Sequence, residues 1–490
     1  MNYKQFHQRL KKINDISNAC SVLSWDAETY MPPKSHKLRG QQVGTLSSLA
    51  HEMLTNRKFG DEIQKLLEDE TLSENERKNV EIIYNQYLKA KKIPSKFVEE
   101  IAALTTEAHP AWVKAKAASD FSVFAPYLKK VASMTKQKAE LLGYDNHPYD
   151  ALIDGYDRGM TCKKVEEVFE KFLPGLKNIL QKVQGKPAAR VDFLEDRAYP
   201  VDTQMQLSKM LSAAIGFDYT RGRLDTAAHP FSTSFHPDDV RMTTRLDEYK
   251  LFDGIGSTLH ESGHSMHSQG LLTEYYGLPQ GEYTNLSTAE SQSRIWENNI
   301  GRSRAFVSWM YPILRATFPV QFSDVSEDEC YAGLNIVKPD FIRVEADELT
   351  YHMHIVLRFE AEKAMITGEL EVDDLPDFWN AKMKEYLGVD VPNDTKGCLQ
   401  DVHWAHGSMG YFPTYSFGTM YAAQYDAAMR KEMDVDTLAA MGNFTPMKKW
   451  LNKNIHEAGD LYGSSELCKK VTGEGLNPNY LLRYLEAKFL

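Results

Sequence analysis

The sequence predicts a mostly α-helical protein with one small β-sheet. Apolar residues recur at three- and four-residue steps over most of the chain, and a single stretch, residues 229–245, alternates with a period of two. From the N-terminus to about Lys186 the helical pattern is clear in NVEIIYNQYLKAKKI and VEEVFEKFLPGLKNILQKV. Turns are marked by Pro, Asn and Gly in MPPKS, KIPSK, AHPA and GYDNHP. Next comes HPFSTSFHPDDVRMTTR, where Phe231, Thr233 and Phe235 alternate with small polar residues, and Val240, Met242 and Thr244 repeat the pattern beyond the turn chemistry of HPDD. This segment reads as a hairpin. Helical patterns then resume in LFDGIGSTLHESGHSMHSQG, ESQSRIWENNIGRSRAFVSWMY, ELTYHMHIVLRFEAEKAM and NPNYLLRYLEAKFL. No fixed-period repeat or low-complexity linker offers a cut. The expectation is therefore a single domain over 1–490, with a helical part about 1–200, a histidine-bearing part about 220–420 and closing helices about 420–490.

Composition excludes several classes of function. The 490 residues are 42% hydrophobic and 26% charged, with a formal net charge of -11, which argues against a nucleic-acid partner needing a basic face. The opening MNYKQFHQRLKKINDIS has no apolar core of signal-peptide length, and no window approaches a membrane span. Cys20, Cys162, Cys330, Cys398 and Cys468 lie far apart without paired spacing, as befits reduced thiols. The expected location is the cytoplasm, with no membrane partner. Any bound metal must be held by histidines and carboxylates.

The stretch 251–270 carries the chemistry. Read as a helix, it places Phe252, Ile255, Leu259, Gly263 and Met266 on an apolar stripe, and His260 and His264, four apart, one turn from each other on an adjacent face. Two imidazoles so spaced can meet one ion. Glu261 lies a residue-step round, placed to take a proton from the attacking water, so H-E-x-x-H is the zinc-hydrolase arrangement. The alternative is a solvated helix with exposed histidines. Against it, the apolar stripe puts the helix inside, where unpaired His and Glu cost several kcal/mol. His267 shares the face and is either a third ligand or a supporting residue, the second being favoured because three ligands from one helix surround a tetrahedral ion poorly. A third ligand should come from elsewhere. STAESQSRIWENN offers Glu290 and Glu297, and spacing does not choose between them; either could instead partner Arg294.

Several separate motifs resemble the M32 metallocarboxypeptidases of the carboxypeptidase Taq type. They are SWDAETYMPP (Ser24 to Pro33), HPF (His229 to Phe231), D-x-R-x-T (Asp239, Arg241, Thr243), H-E-x-x-H, IRVEAD (Ile342 to Asp347), G-x-x-Q-D-x-H-W (Gly397 to Trp404) and GYFPTY (Gly410 to Tyr415). The resemblance implies a large helical zincin-like fold with a deep groove, a homodimer, and removal of single residues from the free C-termini of peptides. It also implies that Glu290, in AESQ, is the third ligand to one Zn2+ per chain, with Co2+ or another divalent ion as a substitute, and that Glu297 supports it. Ala289 stands where that family usually has histidine.

A carboxypeptidase must hold a terminal carboxylate, and the planar fork of arginine suits it. Arg343 and Arg358 are the candidates, with Arg343 ahead because it lies in a family motif; the competing reading pairs Arg343 with Glu345 or Asp347, and Arg358 with Glu360. Neutral donors must also meet the developing oxyanion. His403 and Tyr411 are expected there, ahead of His406 and Tyr415, and Asp401 could orient a histidine. The hairpin edge could pair with an extended peptide. Two other functions compete: a metal-dependent oligopeptidase cutting inside short peptides, and a helical binding protein with a degenerate site.

Overall fold

A computed structural model describes residues 1–186 and 189–490. Helices dominate, and the strands β1 (Gly222–Thr226), β2 (Ser232–His236) and β3 (Asp239–Thr244) form one sheet in the order β1-β3-β2. The predicted hairpin is β2 and β3, paired antiparallel with Thr233 opposite Arg241 and an irregularity between Ser234 and His236. The sequence reading missed β1, which pairs in parallel with β3, Leu224 opposite Met242. Its GRLDT has one large apolar residue between two charges, so no alternation marks it.

Helix start signals are local and legible. Asn2 and Gln5 form a reciprocal cap at the head of the first helix (Tyr3–Thr29), and Ser73 with Glu76 does the same for the helix Glu74–Lys92. The helix Tyr351–Thr367 is different in kind, because every side chain from Tyr351 to Phe359 is buried and the element runs through the interior.

Among the described residues two apolar cores result. The larger includes residues from Leu104 to Phe489 and surrounds the histidine-bearing helix. A smaller one is made by the first helices, through Phe6, Leu10, Phe59, Ile63 and Val80, and takes in Leu278 from the rest of the chain. Polar bonds help to join them. His7 Nε2 lies 2.9 Å from the carbonyl oxygen of Tyr276, and Asn18 Nδ2 donates to the carbonyl of Phe235 in the edge strand β2 at 2.6 Å. Gly277, at φ +88°, lets the connector approach so closely that a Cβ there would sit 2.9 Å from the Lys11 nitrogen.

The last helix (Asn479–Phe489) braces the larger core. Lys488 Nζ meets Glu348 Oε2 at 2.6 Å with both side chains buried, and the Tyr484 hydroxyl donates to the carbonyl of Asn298 at 3.0 Å. No described helix is long and apolar enough to cross a membrane.

Candidate metal centre

The helix carrying His260 (Leu251–Gly270) is buried along almost its whole length. Ile255, Leu259 and Met266 fill the core as the stripe predicts, Phe252 packs at its margin, and Gly263 serves close approach rather than apolar filling. The polar side lies against the sheet, where small hydroxyls satisfy each other: Ser265 Oγ lies 2.8 Å from Ser232 Oγ, and Ser257 Oγ 2.7 Å from Thr244 Oγ1. The hairpin thus fixes the rotation of this helix.

Glu290 comes from the next helix (Leu286–Arg294), squeezed between two neighbours. A Cβ at Gly263 would lie 2.3 Å from the Gln292 carbonyl oxygen, and one at Gly418, in the helix Pro413–Met429, 2.5 Å from Glu290 Cβ. Both glycines therefore set how near the carboxylate comes to the histidines. Glu290 Oε2 lies 3.6 Å from Nε2 of His260 and 3.6 Å from Nε2 of His264. Three donors about 2.0–2.2 Å from a tetrahedral ion stand roughly 3.3–3.6 Å from one another; both Glu290–histidine separations match this, and all three ligand atoms lie within 4.8 Å of one another, so the trio could hold a divalent cation.

The surrounding charges hold the trio in register. His260 Nδ1 lies 2.9 Å from Glu297 Oε2, which fixes the proton on Nδ1 and leaves the Nε2 lone pair facing Glu290. Arg294 Nε donates to Glu290 Oε1 at 2.6 Å, and its Nη1 to Glu297 Oε2 at 3.0 Å. Arg302 adds a bond to Glu297 at 3.3 Å, and the Tyr351 ring lies 4.8 Å beneath the Arg294 guanidinium. Burial alone would raise both carboxyls, but Arg294 and His260 outweigh it, holding Glu290 well below the usual range and Glu297 at about 2. Both are held as anions by these neighbouring cations.

Glu261 has the opposite environment. Burial pushes its carboxyl up to about 7, opposed by His264 and reinforced by the negative charges of Glu290 and Glu297. A carboxylate poised there can take up and release a proton near neutrality. His267 is turned elsewhere, its ring 4.7 Å from that of Tyr283 and 4.8 Å from that of His456. Ala289 is buried beside Glu290.

The two arginines differ from the local pairings read in the sequence. Arg343 and Arg358 converge on Asp401, with Arg343 Nε 3.0 Å from Oδ1 and Arg358 Nε 2.7 Å from Oδ2. Arg358 is fully buried and also donates to Gln400 Oε1 and to the carbonyl of His354, both at 2.7 Å, so its fork is directed into the protein. Glu360 instead meets Lys382, and Asp347 caps Thr350. These partners are distant in sequence and no spacing rule could find them. Asp401 is correspondingly an anchor for two guanidinium groups. Arg343 donates to the Tyr351 hydroxyl at 3.1 Å, and its guanidinium lies 5.0 Å from the Tyr415 ring.

His403 and Tyr411 come together with ring centres 5.3 Å apart, and His403 Nε2 lies 3.2 Å from the Tyr415 hydroxyl. Burial lowers the histidine to about 4, making it neutral, and burial with the nearby charge of Glu290 raises the phenol of Tyr411. Both are neutral hydrogen-bonding groups. His406 instead stacks on His109 at 5.2 Å. Arg302, Tyr351 and Gly418 were not foreseen; Arg294, four residues after Glu290, carried an i,i+4 signal of its partnership.

The similarity to known proteins runs over the whole chain. Residues 5–489 match the family model of the carboxypeptidase Taq (M32) metallopeptidases. The chain is 40% identical over 491 residues to thermostable carboxypeptidase 1 of Pyrococcus furiosus, covering 99% of this chain and 98% of the relative. It is 38% identical over 488 residues to carboxypeptidase 1 of Bacillus subtilis, covering 99% and 97%. The crystal structure of the M32 carboxypeptidase from Deinococcus radiodurans R1 superposes with a TM-score of 0.97 at 34% identity, covering 99% of this chain and 98% of that one. With a cation-sized trio of donors inside a fold common to these enzymes, the chain belongs to the carboxypeptidase Taq (M32) family and is a metallocarboxypeptidase, a peptide hydrolase that uses a divalent metal.

Proposed function

We propose that His260, His264 and Glu290 hold one Zn2+ per chain, and that Glu261 is the general base for water attack on the last peptide bond of a substrate with a free C-terminus. The observation that carries this reading is the pair of 3.6 Å separations between Glu290 Oε2 and the two Nε2 atoms, with Glu261 adjacent. The ion, when bound, supplies Lewis-acid polarisation of the scissile carbonyl and a lowered pKa for water. Co2+ or another divalent ion can substitute, since N/O ligands accept several. Glu261 takes the proton from the attacking water and delivers it to the leaving amine. His403 and Tyr411 donate to the developing oxyanion. Arg343 receives the terminal carboxylate through the donor capacity Asp401 leaves free. We assign Arg358, sequestered by Asp401 and Gln400, to holding Asp401 and through it Arg343. A single peptidase domain acting as a cytoplasmic homodimer completes the proposal, in keeping with the family resemblance and the unpaired cysteines.

The test is a digest followed by mass spectrometry, with elemental analysis of the same sample. A free-carboxylate peptide should give a ladder of single-residue losses, a C-terminally amidated copy should resist, and about one zinc per chain should be present. Internal cleavage of the amidated peptide would favour the oligopeptidase reading instead.

A further inference from the structure

The segment from His403 to Tyr411 has no regular helix or strand beyond one 3-10 turn, yet it must hold two donors at fixed places. Glu362, on the interior helix Tyr351–Thr367, is fully buried and touches this segment at both ends. Its Oε1 accepts from Trp404 Nε1 at 2.8 Å, and its Oε2 accepts from the backbone nitrogen of Gly410 at 2.9 Å. Trp404 follows His403 directly, and Gly410 precedes Tyr411. A third bond, from the Tyr149 hydroxyl to Oε2 at 2.8 Å, orients the carboxyl from the short helix Pro148–Ile153. That same helix presses on the segment from the other side: Gly410 has φ +98°, and a Cβ there would lie 2.9 Å from the Leu152 carbonyl carbon. One turn earlier on the interior helix, Arg358 grips Gln400 and Asp401, just before His403.

We propose that Glu362 is a positioning residue for the reaction, clamping both ends of the His403–Tyr411 segment so that its donors are preorganised. The proposal rests on the assignment of those donors made above. Two donors from the segment and one from the helix Pro148–Ile153 converge on two carboxylate oxygens, an arrangement that a carboxylate satisfies and an amide does not. In Glu362→Gln the NH2 group must face either the indole N–H or the Gly410 N–H, donor against donor, even though the Tyr149 hydroxyl can turn to accept.

The experiment compares wild type with Glu362→Gln by hydrogen exchange of a peptide spanning Gly410, by metal content, and by steady-state kinetics on a short peptide. Exchange at 405–411 should rise while peptides covering His260 to Glu290 stay unchanged. Metal content should stay at the wild-type level, kcat should fall roughly ten-fold or more, and KM should move less than about two-fold. Wild-type exchange in the segment, or raised exchange with wild-type kcat, overturns the proposal. Should that variant fail to fold, Trp404→Phe removes a single donor and keeps the aromatic ring; it should shift exchange and kcat the same way by less, and wild-type values for both overturn the idea equally. Wild-type kcat in both His403→Ala and Tyr411→Phe would sink the donor assignment and this proposal with it. That failure is recognisable, because exchange at Gly410 in Glu362→Gln would still be raised.

Discussion

At the residue scale, the site turns on how each carboxylate is surrounded. Among the described residues no cation is bonded to Glu261, whereas Glu290 and Glu297 share Arg294, so one glutamate is left free to exchange a proton while two stay charged. Glu261→Gln should therefore keep its metal and lose turnover by about 10²–10⁴-fold, as read by elemental analysis beside kcat; near-normal activity would remove the base assignment. Arg294→Lys keeps a charge but cannot bond both glutamates in one plane, so metal retention should weaken about 10–100-fold in a chelator competition. Spacing alone left Glu290 and Glu297 indistinguishable, and only the three-dimensional path showed that one faces two Nε2 atoms and the other the Nδ1 of His260. The partners of Arg343 and Arg358 were illegible for a related reason: Asp401 lies 58 and 43 positions away, beyond any local pattern.

At the scale of elements, two glycine contacts decide the site's dimensions. Gly263→Ala would force the His260 helix off the backbone of Gln292, costing about 1–3 kcal/mol in denaturant unfolding and loosening the metal as Glu290 retreats. Gly40, inside the helix His36–Thr55, has nothing within 4 Å of its would-be Cβ, so Gly40→Ala should instead gain about 0.5–1 kcal/mol. Equal effects from the two substitutions would mean that the close contact carries no weight. The hairpin was legible because Val240, Met242 and Thr244 all face inward, giving a period of two. The strand β1 was not, since Arg223 and Asp225 pair with each other across its surface and tertiary bonds to β3 supply what its composition lacks.

At the scale of the whole molecule, the ion and the larger core should stabilise one another. A chelator should abolish activity and lower Tm, and Zn2+ at about 100 times its Kd should restore about 2.7 kcal/mol of stability; an unchanged Tm in calorimetry would separate the trio from any bound cation. Most of the helical architecture was visible in sequence because its apolar period persists through segment after segment, yet the division into two cores was not, for packing partners leave no periodic trace. The smaller core, from Phe6 to Ile83 with Leu278, is tied to its neighbour partly through bonds such as those of His7 and Asn18, for which water competes well. It follows that this part can loosen as a cooperative unit at a lower free energy than global unfolding, giving the molecule an order of melting in which its leading helices let go while the histidine-bearing interior still holds.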